Sequence, residues 1–378
     1  MISFYHKRLI TYGGAEIVLI QDLTIASKMK RDVELVSFEI SSEFQDKIPS
    51  NVKVVLLKNS IFSFLHHYIW RKCPTIISSS GLVEIGFLTL IKKIKLILID
   101  HHPTSLMPAK TFSDDNSITK KKLKFLLSLG IANEERPKTN NKFNIHTFII
   151  NQLHIRSYRK AHYITVLSEF GQLEKKFIYR KNATVVRTGL DLTGEISGER
   201  NSSEDIVCVQ RLVKDKNLEN LLYIVSNLKD STFESRQLHI IGDGRMMTDL
   251  KVLSEKLGIS QKVVFHGFLD NSSKNDLLSK CRYFINPQFA DYNLTTIEAL
   301  FSGCSVVTSH IADFPEITGK YIFGCDQRNV EDLSSAIIQM TTAKDCKDSE
   351  IDSLRYSISS TFSWNKRMSD LRMIINDL

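Results

Sequence analysis

The sequence lacks the marks of a membrane-spanning or exported chain. Its 378 residues contain no stretch of ~18 uncharged apolar residues, the length that a membrane-spanning helix requires. The first residues show no basic start, apolar core or cleavage site, so we expect no signal peptide. We therefore expect a cytoplasmic protein.

Cysteine is scarce, and several common signatures are missing. The six cysteines form no C-x-x-C pair and lie near no histidine at zinc-finger spacing, so we expect reduced thiols, no disulfide and no metal. No G-x-G-x-x-G follows the first predicted strand, which excludes a Rossmann dehydrogenase. No signature of a nucleic-acid-binding module is present, so we expect no nucleic-acid partner.

Positive charge is concentrated in the first half of the chain. Residues 1–190 carry 29 Lys and Arg against 15 Asp and Glu, a net charge of +14, whereas the remaining residues carry −6. Such a basic half indicates an anionic partner, and by charge alone nucleic acid, anionic lipid and a phosphorylated glycan all qualify.

Short apolar runs alternate with helical patterns along most of the chain, which predicts α/β architecture with parallel sheets and right-handed crossovers. A single domain rarely grows beyond ~250–300 residues, so we expect two domains that share a cleft. The alternation fails at residues 111–144, where we predict a mobile or surface-docking insertion. A polar stretch at 189–203 predicts the domain boundary.

Two basic residues lie between a predicted strand and the helix that follows it. Arg211 and Lys216 follow the apolar run at 206–210 and precede a helical pattern. A helix N-terminus at the end of a strand directs backbone N–H groups at one spot, which favours an anion. Both side chains can converge on a diphosphate there, or they can be solvated surface cations.

Other candidate residues also follow predicted strands. Gly242 and Gly244 allow close approach of the backbone to a ligand, although such pairs are common in tight turns. Asn293, Leu294 and Thr295 open a helix that can offer N–H groups to phosphate. Glu298, in the same helix, can bond ribose hydroxyls or simply face solvent.

The first half offers two weaker candidates. Gly13 and Gly14 open the first long helix and leave its N-terminus free of Cβ atoms, as in a ligand loop or a simple turn. His101 and His102 directly follow a strand, where open α/β sheets place their ligands. Acid/base, hydrogen-bonding or loop roles remain open for these histidines.

The order of these motifs resembles the family 4 retaining glycosyltransferases of the GT-B fold. The resemblance begins at Gly13-Gly-Ala-Glu16, includes Thr188-Gly-Leu-Asp191 and a strand-to-helix motif that ends in Glu298-Ala-Leu300, and continues to Phe314-Pro-Glu316. It is strongest from Val166 to Ile317. It implies two Rossmann-like domains facing a cleft. Residues 1–190 would bind the acceptor, residues 191–361 the donor, and a helix at 362–378 would cross back to the first domain.

The resemblance also implies roles for single residues. Arg211 and Lys216 would hold the donor diphosphate, Glu298 the ribose, and His101, or else His102, would lie near the transferred sugar. Asp291 would take the place of an acid that the family has one residue earlier, where this chain has Ala290. Further donor contacts are expected from Gly13, Gly14, Gly242, Asp243, Gly244, Arg245, His266, Gly267, Asn293, Leu294 and Thr295.

The resemblance implies a metal-independent enzyme that moves a sugar from a nucleotide sugar, UDP more than GDP, to a glycan or lipid-linked glycan. Lipopolysaccharide, O-antigen and capsule synthesis are the contexts it suggests. The Ala290 departure leaves a catalytically weak or inactive scaffold as the alternative. Lys120, Lys121, Lys122 and Lys124, beside leucines, would attract the inner membrane face or form a solvated basic face.

Overall fold

The computed structural model describes residues 1–10, 13–71, 75–101, 124–125, 128, 145–191, 203–228, 235–312, 320–343 and 348–378. The described chain forms two units, residues 1–189 with 364–378 and residues 190–363. Most of the insertion expected at 111–144 lies outside the described residues, as do His102, Lys120, Lys121 and Lys122.

The first unit is built on a parallel sheet of seven strands in the order β5-β3-β1-β6-β7-β8-β9. Its central strands are buried on both faces and are rich in Ile, Leu and Val, as parallel sheets covered by helices require. A separate pair joins β2 to β4. The strands are β1 (Ile2–Tyr5), β2 (Arg8–Leu9), β3 (Val33–Ser37), β4 (Glu39–Ile40), β5 (Lys53–Leu56), β6 (Thr75–Ser78), β7 (Lys95–Asp100), β8 (Tyr163–Val166) and β9 (Thr184–Val185).

Helices connect these strands and supply the rest of the core. Glycine allows two of these helices to approach closely, because a Cβ on Gly86 would lie 2.3 Å from the carbonyl oxygen of Leu153. The helices are α1 (Gly14–Ser27), α2 (Ser42–Gln45), α3 (Ile61–Ile69), α4 (Leu82–Ile91), α5 (Ile145–Lys160) and α6 (Glu169–Glu174), and a π-helix follows at Lys175–Tyr179.

The second unit holds a parallel sheet of six strands in the order β12-β11-β10-β13-β14-β15. One apolar core lies between this sheet and its helices. The strands are β10 (Ser203–Val209), β11 (Leu238–Ile241), β12 (Val263–Gly267), β13 (Cys281–Ile285), β14 (Ser305–Ser309) and β15 (Ile322–Cys325). The helices are α7 (Leu218–Asn227), α8 (Met247–Lys256), α9 (Asn271–Lys280), α10 (Leu294–Ser302), α11 (Val330–Thr342) and α12 (Asp348–Thr361).

The last helix, α13 (Trp364–Asn376), belongs to the first unit. Leu371, Ile374 and Ile375 enter the apolar core between the sheet and α1. Arg367 is fully buried and forms a bidentate ion pair with Asp22 of α1, with both N···O distances 2.7 Å. The chain therefore leaves the first unit near residue 189 and returns to it at α13.

Within the described ranges, no helix is long and apolar enough to cross a membrane. The four described cysteines carry free, buried thiols, and burial raises the pKa of each.

Candidate functional site

The strand order of the second sheet reverses at β10. The strands β11 and β12 lie on one side of β10, whereas β13, β14 and β15 lie on the other. Open parallel sheets bind ligands at the carboxyl ends of the strands beside such a reversal. Gln210 follows β10, Asn286 follows β13, and their buried side-chain amides are hydrogen-bonded at 2.6 Å. The expected ligand position therefore lies above this amide pair.

Two cations follow β10 at this edge. Arg211 is exposed and forms no ion pair with any residue in the described part of the chain. Lys216 ends a 3-10 turn and donates a hydrogen bond to Oε1 of Gln288 at 2.6 Å. Burial lowers the pKa of Lys216; Asp215 opposes this, and the charge of Arg211 adds to the lowering. The two cations thus lie close enough to repel each other, an arrangement that a bound anion would relieve.

Asn217 follows Lys216 and is the N-cap residue of α7. Its φ of 59° lies in the left-handed region, which Asn tolerates better than most residues other than glycine. Its side-chain amide donates to the carbonyl oxygens of Pro287, at 3.1 Å, and Gln327, at 2.7 Å. Asn217 therefore ties the start of α7, and with it Lys216, to the loops after β13 and β15.

The glycines of the turn after β11 are required by the protein's own backbone. A Cβ on Gly242, whose φ is +131°, would lie 1.9 Å from the carbonyl oxygen of Gln210. A Cβ on Gly244, whose φ is +156°, would lie 2.4 Å from the carbonyl oxygen of Leu212. The expected approach of backbone to a ligand is thus not needed to explain either glycine.

This turn is held beside the segment that carries Arg211. The backbone N–H of Leu212 donates to the carbonyl oxygen of Asp243 at 2.9 Å, and that of Gly242 donates to Gly267 at 2.8 Å. The side chains of Asp243 and Arg245 are exposed. The loops after β10, β11 and β12 therefore meet at one edge of the sheet.

The His266 side chain is engaged within the protein. Its Nε2 lies 2.9 Å from Nδ1 of His239 on the neighbouring strand β11, and His239 in turn lies 3.5 Å from Asp205. Burial, and then the neighbouring His239, lowers the pKa of His266. One ring nitrogen of His266 is thus already hydrogen-bonded inside the protein.

The start of α10 lies against the end of β10. Oγ1 of Thr295 is 3.4 Å from the carbonyl oxygen of Val209. Oδ1 of Asn293 accepts the backbone N–H groups of Thr295, at 2.9 Å, and Thr296, at 3.3 Å. Two of the N–H groups that the sequence offered to phosphate are therefore capped by the side chain of Asn293.

Two acidic residues flank this helix start. Asp291 precedes α10 and is buried, with 3% of its surface exposed. Glu298 lies in the second turn of α10, and its Oε2 is 2.7 Å from Nζ of Lys274 on α9. This ion pair accounts for a carboxylate in an otherwise apolar helix, and it leaves the ribose contact a prediction.

In the first unit, Gly13 and Gly14 begin α1 as the sequence indicates. Gly13 is the N-cap of this helix and has an extended backbone conformation. A Cβ on Gly13 would lie 2.8 Å from Oε2 of Glu16. The missing Cβ of Gly13 therefore leaves space for the carboxylate of Glu16 in the first turn of α1.

His101 directly follows β7 and is buried, with 9% of its surface exposed. Its neighbour Asp100 accepts hydrogen bonds from Tyr158, at 2.5 Å, and from the fully buried Lys175, at 2.7 Å. Burial alone would lower the pKa of Lys175, but Asp100 and Glu174 outweigh it and raise the pKa. A charged cluster therefore fixes the end of β7, from which His101 emerges.

Sequence reasoning missed three of these features. Lys274 is 24 positions from Glu298 and Lys175 is 75 from Asp100, so no local pattern pairs them. The amide pair had a signal, since Asn286 follows an apolar run directly. Among the described residues, no group of three or more His, Cys, Asp or Glu is placed to hold a metal ion.

Comparison with known proteins places this site in context. Residues 193–351, which include the whole edge just described, match the family model of glycosyl transferases group 1. An N-acetylgalactosamine-N,N'-diacetylbacillosaminyl-diphospho-undecaprenol 4-alpha-N-acetylgalactosaminyltransferase of Campylobacter jejuni is 31% identical over 196 residues, 49% of this chain and 51% of that one. An alpha-monoglucosyldiacylglycerol synthase of Streptococcus pneumoniae is 23% identical over 205 residues, 53% of this chain and 44% of that one.

The chain thus spans about half the length of the curated relatives it matches. Solved structures match over its whole length. HepE of Anabaena in complex with UDP has a TM-score of 0.67 at 14% identity, and the match covers 100% of both chains. The fold predicted from the sequence is confirmed, since two parallel-sheet α/β domains match GT-B structures. The whole chain thus has the GT-B fold, and residues 193–351 are similar to the group 1 glycosyl transferases.

Proposed function

We propose that this protein is a retaining glycosyltransferase that takes a sugar from a nucleoside diphosphate sugar, with a UDP-sugar favoured over a GDP-sugar as the donor. The observation that carries the proposal is the pair Arg211 and Lys216 at the strand reversal of the second unit. These cations repel each other, and Lys216 is hydrogen-bonded to the neutral Gln288. A diphosphate would neutralise both.

The chemistry of the two side chains fits a leaving diphosphate. The guanidinium of Arg211 can bind phosphate oxygens in bidentate fashion, whereas Lys216 acts as a point charge. Charge develops on the leaving phosphate as the bond to the sugar breaks, and fixed cations stabilise it. We propose that these two residues provide this stabilisation without a metal ion. Chelation by EDTA should then leave transfer unchanged.

The remaining roles follow the family resemblance. We propose that Glu298 contacts the ribose through the oxygen that Lys274 does not bind, and that Asp291 and His101 lie near the transferred sugar. The reaction would be a front-face substitution in which the leaving phosphate assists deprotonation of the acceptor hydroxyl. No protein base is assigned. UDP is favoured because HepE, a structural neighbour, binds it.

We propose a lipid-linked glycan or glycolipid as acceptor, in cell-surface polysaccharide synthesis of the lipopolysaccharide, O-antigen or capsule type. The names of two relatives support this, since one acts on a diphospho-undecaprenol-linked sugar and the other makes a glucosyldiacylglycerol. The protein would work at the cytoplasmic face of the membrane. The alternative of an inactive scaffold is retained as an outcome of the experiment below, because Ala290 occupies the acid's position.

A thermal-shift screen against UDP, GDP, CMP and their sugar conjugates tests the proposal. A ligand at 100 times its dissociation constant stabilises a protein by ~2.7 kcal/mol, which such a screen resolves. We expect a shift with UDP or UDP-sugar that is lost in Arg211→Ala and Lys216→Ala. The matched control is Lys214→Ala, an exposed cation in the same turn, which should keep the shift.

Transfer assays complete the test. Each of Arg211→Ala and Lys216→Ala should raise the barrier by ~2–4 kcal/mol, as for other lost transition-state donors. Full activity in both variants would refute the diphosphate site. Nucleotide binding without any donor hydrolysis or transfer would favour the inactive scaffold.

A further inference from the structure

The side chain that holds Lys216 is neutral. Nζ of Lys216 donates to Oε1 of Gln288 at 2.6 Å, and both side chains are partly buried. Among the residues that the structure describes, Lys216 forms no ion pair. A carboxamide oxygen accepts a hydrogen bond from an ammonium group but carries no formal charge that would cancel it. Lys216 is therefore held in one place while it keeps its full positive charge.

Gln288 is fixed at the end of β13 by other carboxamides. Its backbone N–H donates at 3.2 Å to Oδ1 of Asn286, the atom that also accepts from Nε2 of Gln210. Nε2 of Gln327 donates to the carbonyl oxygen of Asn286 at 3.2 Å. Asn286 and Gln327 are fully buried. The backbone of Gln288 is thus attached to a buried network of amides that joins the ends of three strands.

The residue after Gln288 is anchored as well. The guanidinium of Arg328 lies over the ring of Phe289, with Cζ 4.0 Å from the ring centroid. Arg328 is itself held by Asp326, whose two carboxylate oxygens accept from Nε at 2.8 Å and from Nη2 at 2.6 Å. The loop after β15 therefore fixes Phe289. Gln288 is held on both sides by contacts that do not involve Lys216.

The framework around Lys216 is built from neutral side chains. Five carboxamides form the contacts that hold Lys216 and the loops beside it: Gln210, Asn217, Asn286, Gln288 and Gln327. The carboxylate that acts on Lys216 through its charge belongs to Asp215, an exposed residue of the same turn. Amides can satisfy buried backbone groups as carboxylates do, but they leave the positive potential of nearby cations intact.

We propose that Gln288 is a positioning residue that holds the ammonium of Lys216 towards the donor diphosphate without neutralising it. This inference rests on the proposed function. A carboxylate at position 288 would form an ion pair with Lys216 and weaken its attraction for phosphate. An apolar side chain would leave the flexible lysine without a partner. The neutral acceptor thus preserves both the charge and the position of Lys216, and both are needed where charge develops on a leaving group.

The variant Gln288→Glu tests the role of charge. Its dissociation constant for UDP, measured by calorimetry, should rise about tenfold or more, whereas that for uridine, which lacks phosphates, should stay within about twofold. The melting temperature of the free variant should equal or exceed that of the parent chain, because the new carboxylate can pair with Lys216. The matched control is Gln339→Glu, which makes the same charge change at an exposed position of α11 and should leave both constants unchanged.

The variant Gln288→Met tests the role of position. It removes the acceptor but leaves the charge of Lys216, so the dissociation constant for UDP should stay within about threefold. The kcat of donor hydrolysis or transfer should fall about tenfold, because the ammonium is no longer held where charge develops.

Two failures can be told apart. If the parent chain binds no UDP, the proposed function is refuted, and the role of Gln288 falls with it. If the parent binds UDP and Gln288→Glu binds it equally well, only the role of Gln288 is refuted. An equal loss of uridine and UDP binding in Gln288→Glu would show a merely structural role and would also overturn the inference, as would a parental kcat in Gln288→Met.

Discussion

Removal of one partner from the buried ion pair between Arg367 and Asp22 should strongly destabilise the first unit. Both side chains are essentially inaccessible, and the guanidinium also donates to the carbonyl oxygens of Val186, at 3.1 Å, and Arg187, at 3.3 Å. Arg367→Met keeps much of the apolar volume but leaves Asp22 buried without its partner. This perturbation isolates the charge interaction from the packing of α13.

The magnitude follows from burial. Removal of one partner from a buried pair costs about 3–5 kcal/mol, since the remaining charge loses its compensation. We expect this loss in the free energy of unfolding for Arg367→Met. The double variant Arg367→Met/Asp22→Leu removes both charges and should recover part of it, because well-packed apolar residues often replace a buried pair at little cost.

Urea denaturation followed by tryptophan fluorescence measures the free energy of unfolding of each variant. Both tryptophans, Trp70 and Trp364, lie in the first unit, so the signal reports on that unit. The matched control is Lys366→Met, at the position next to Arg367. This change breaks a solvent-exposed ion pair between Lys366 and Asp370 and should lower the free energy of unfolding by ~0.5 kcal/mol or less. Equal losses in Arg367→Met and Lys366→Met would refute the reasoning, as would a double variant less stable than Arg367→Met.

Two other stability predictions concern single residues. Burial alone raises the pKa of Glu34, but hydrogen bonds from His67, Arg71 and Ser3 outweigh it and lower the pKa to about 2 from 4.5. The contribution of Glu34 to the stability of the fold is therefore complete above pH 4.5 and is lost as the pH falls towards 2. Glu34→Gln should remove this pH-dependent part, at most ~3 kcal/mol of the free energy of unfolding, as measured by urea titrations at several pH values. Gly242→Ala should lower the melting temperature of the second unit, because the added Cβ would clash with the backbone at a cost of ~3 kcal/mol. Gly258 has a φ of +70° but open space around its Cα, so Gly258→Ala should cost only ~1 kcal/mol. Similar shifts in melting temperature for both variants would contradict this packing argument.

The strands and helices of the second unit could be predicted from the sequence because they depend on local patterns. Strand ends and helix starts are set by residues within a few positions, so the alternation of β10, α7, β11 and α8 could be read from apolar runs and turns. Arg211 and Lys216 are five positions apart across one turn, and the structure places them near each other.

Partners distant in the sequence could not be predicted. Lys274 neutralises Glu298, although the sequence offered the carboxylate to a ribose. The sequence leaves the turn at Gly242 open between a ligand loop and a tight turn, and it does not show that the carbonyl of Gln210 lies beside the Cα of this glycine. In each case the deciding contact comes from a neighbouring element whose position depends on the whole sheet.

The sequence by itself determined the α/β class, the parallel sheets and the positions of the candidate residues along the chain, because periodicity and turn chemistry act locally. Only the tertiary structure decided which polar groups are paired and which faces are covered. The amphipathic pattern of α3 does not reveal that Phe62 and Trp70 remain exposed. Arg367 and Asp22 are 345 positions apart, and only the packing of α13 on α1 brings these charges together out of water.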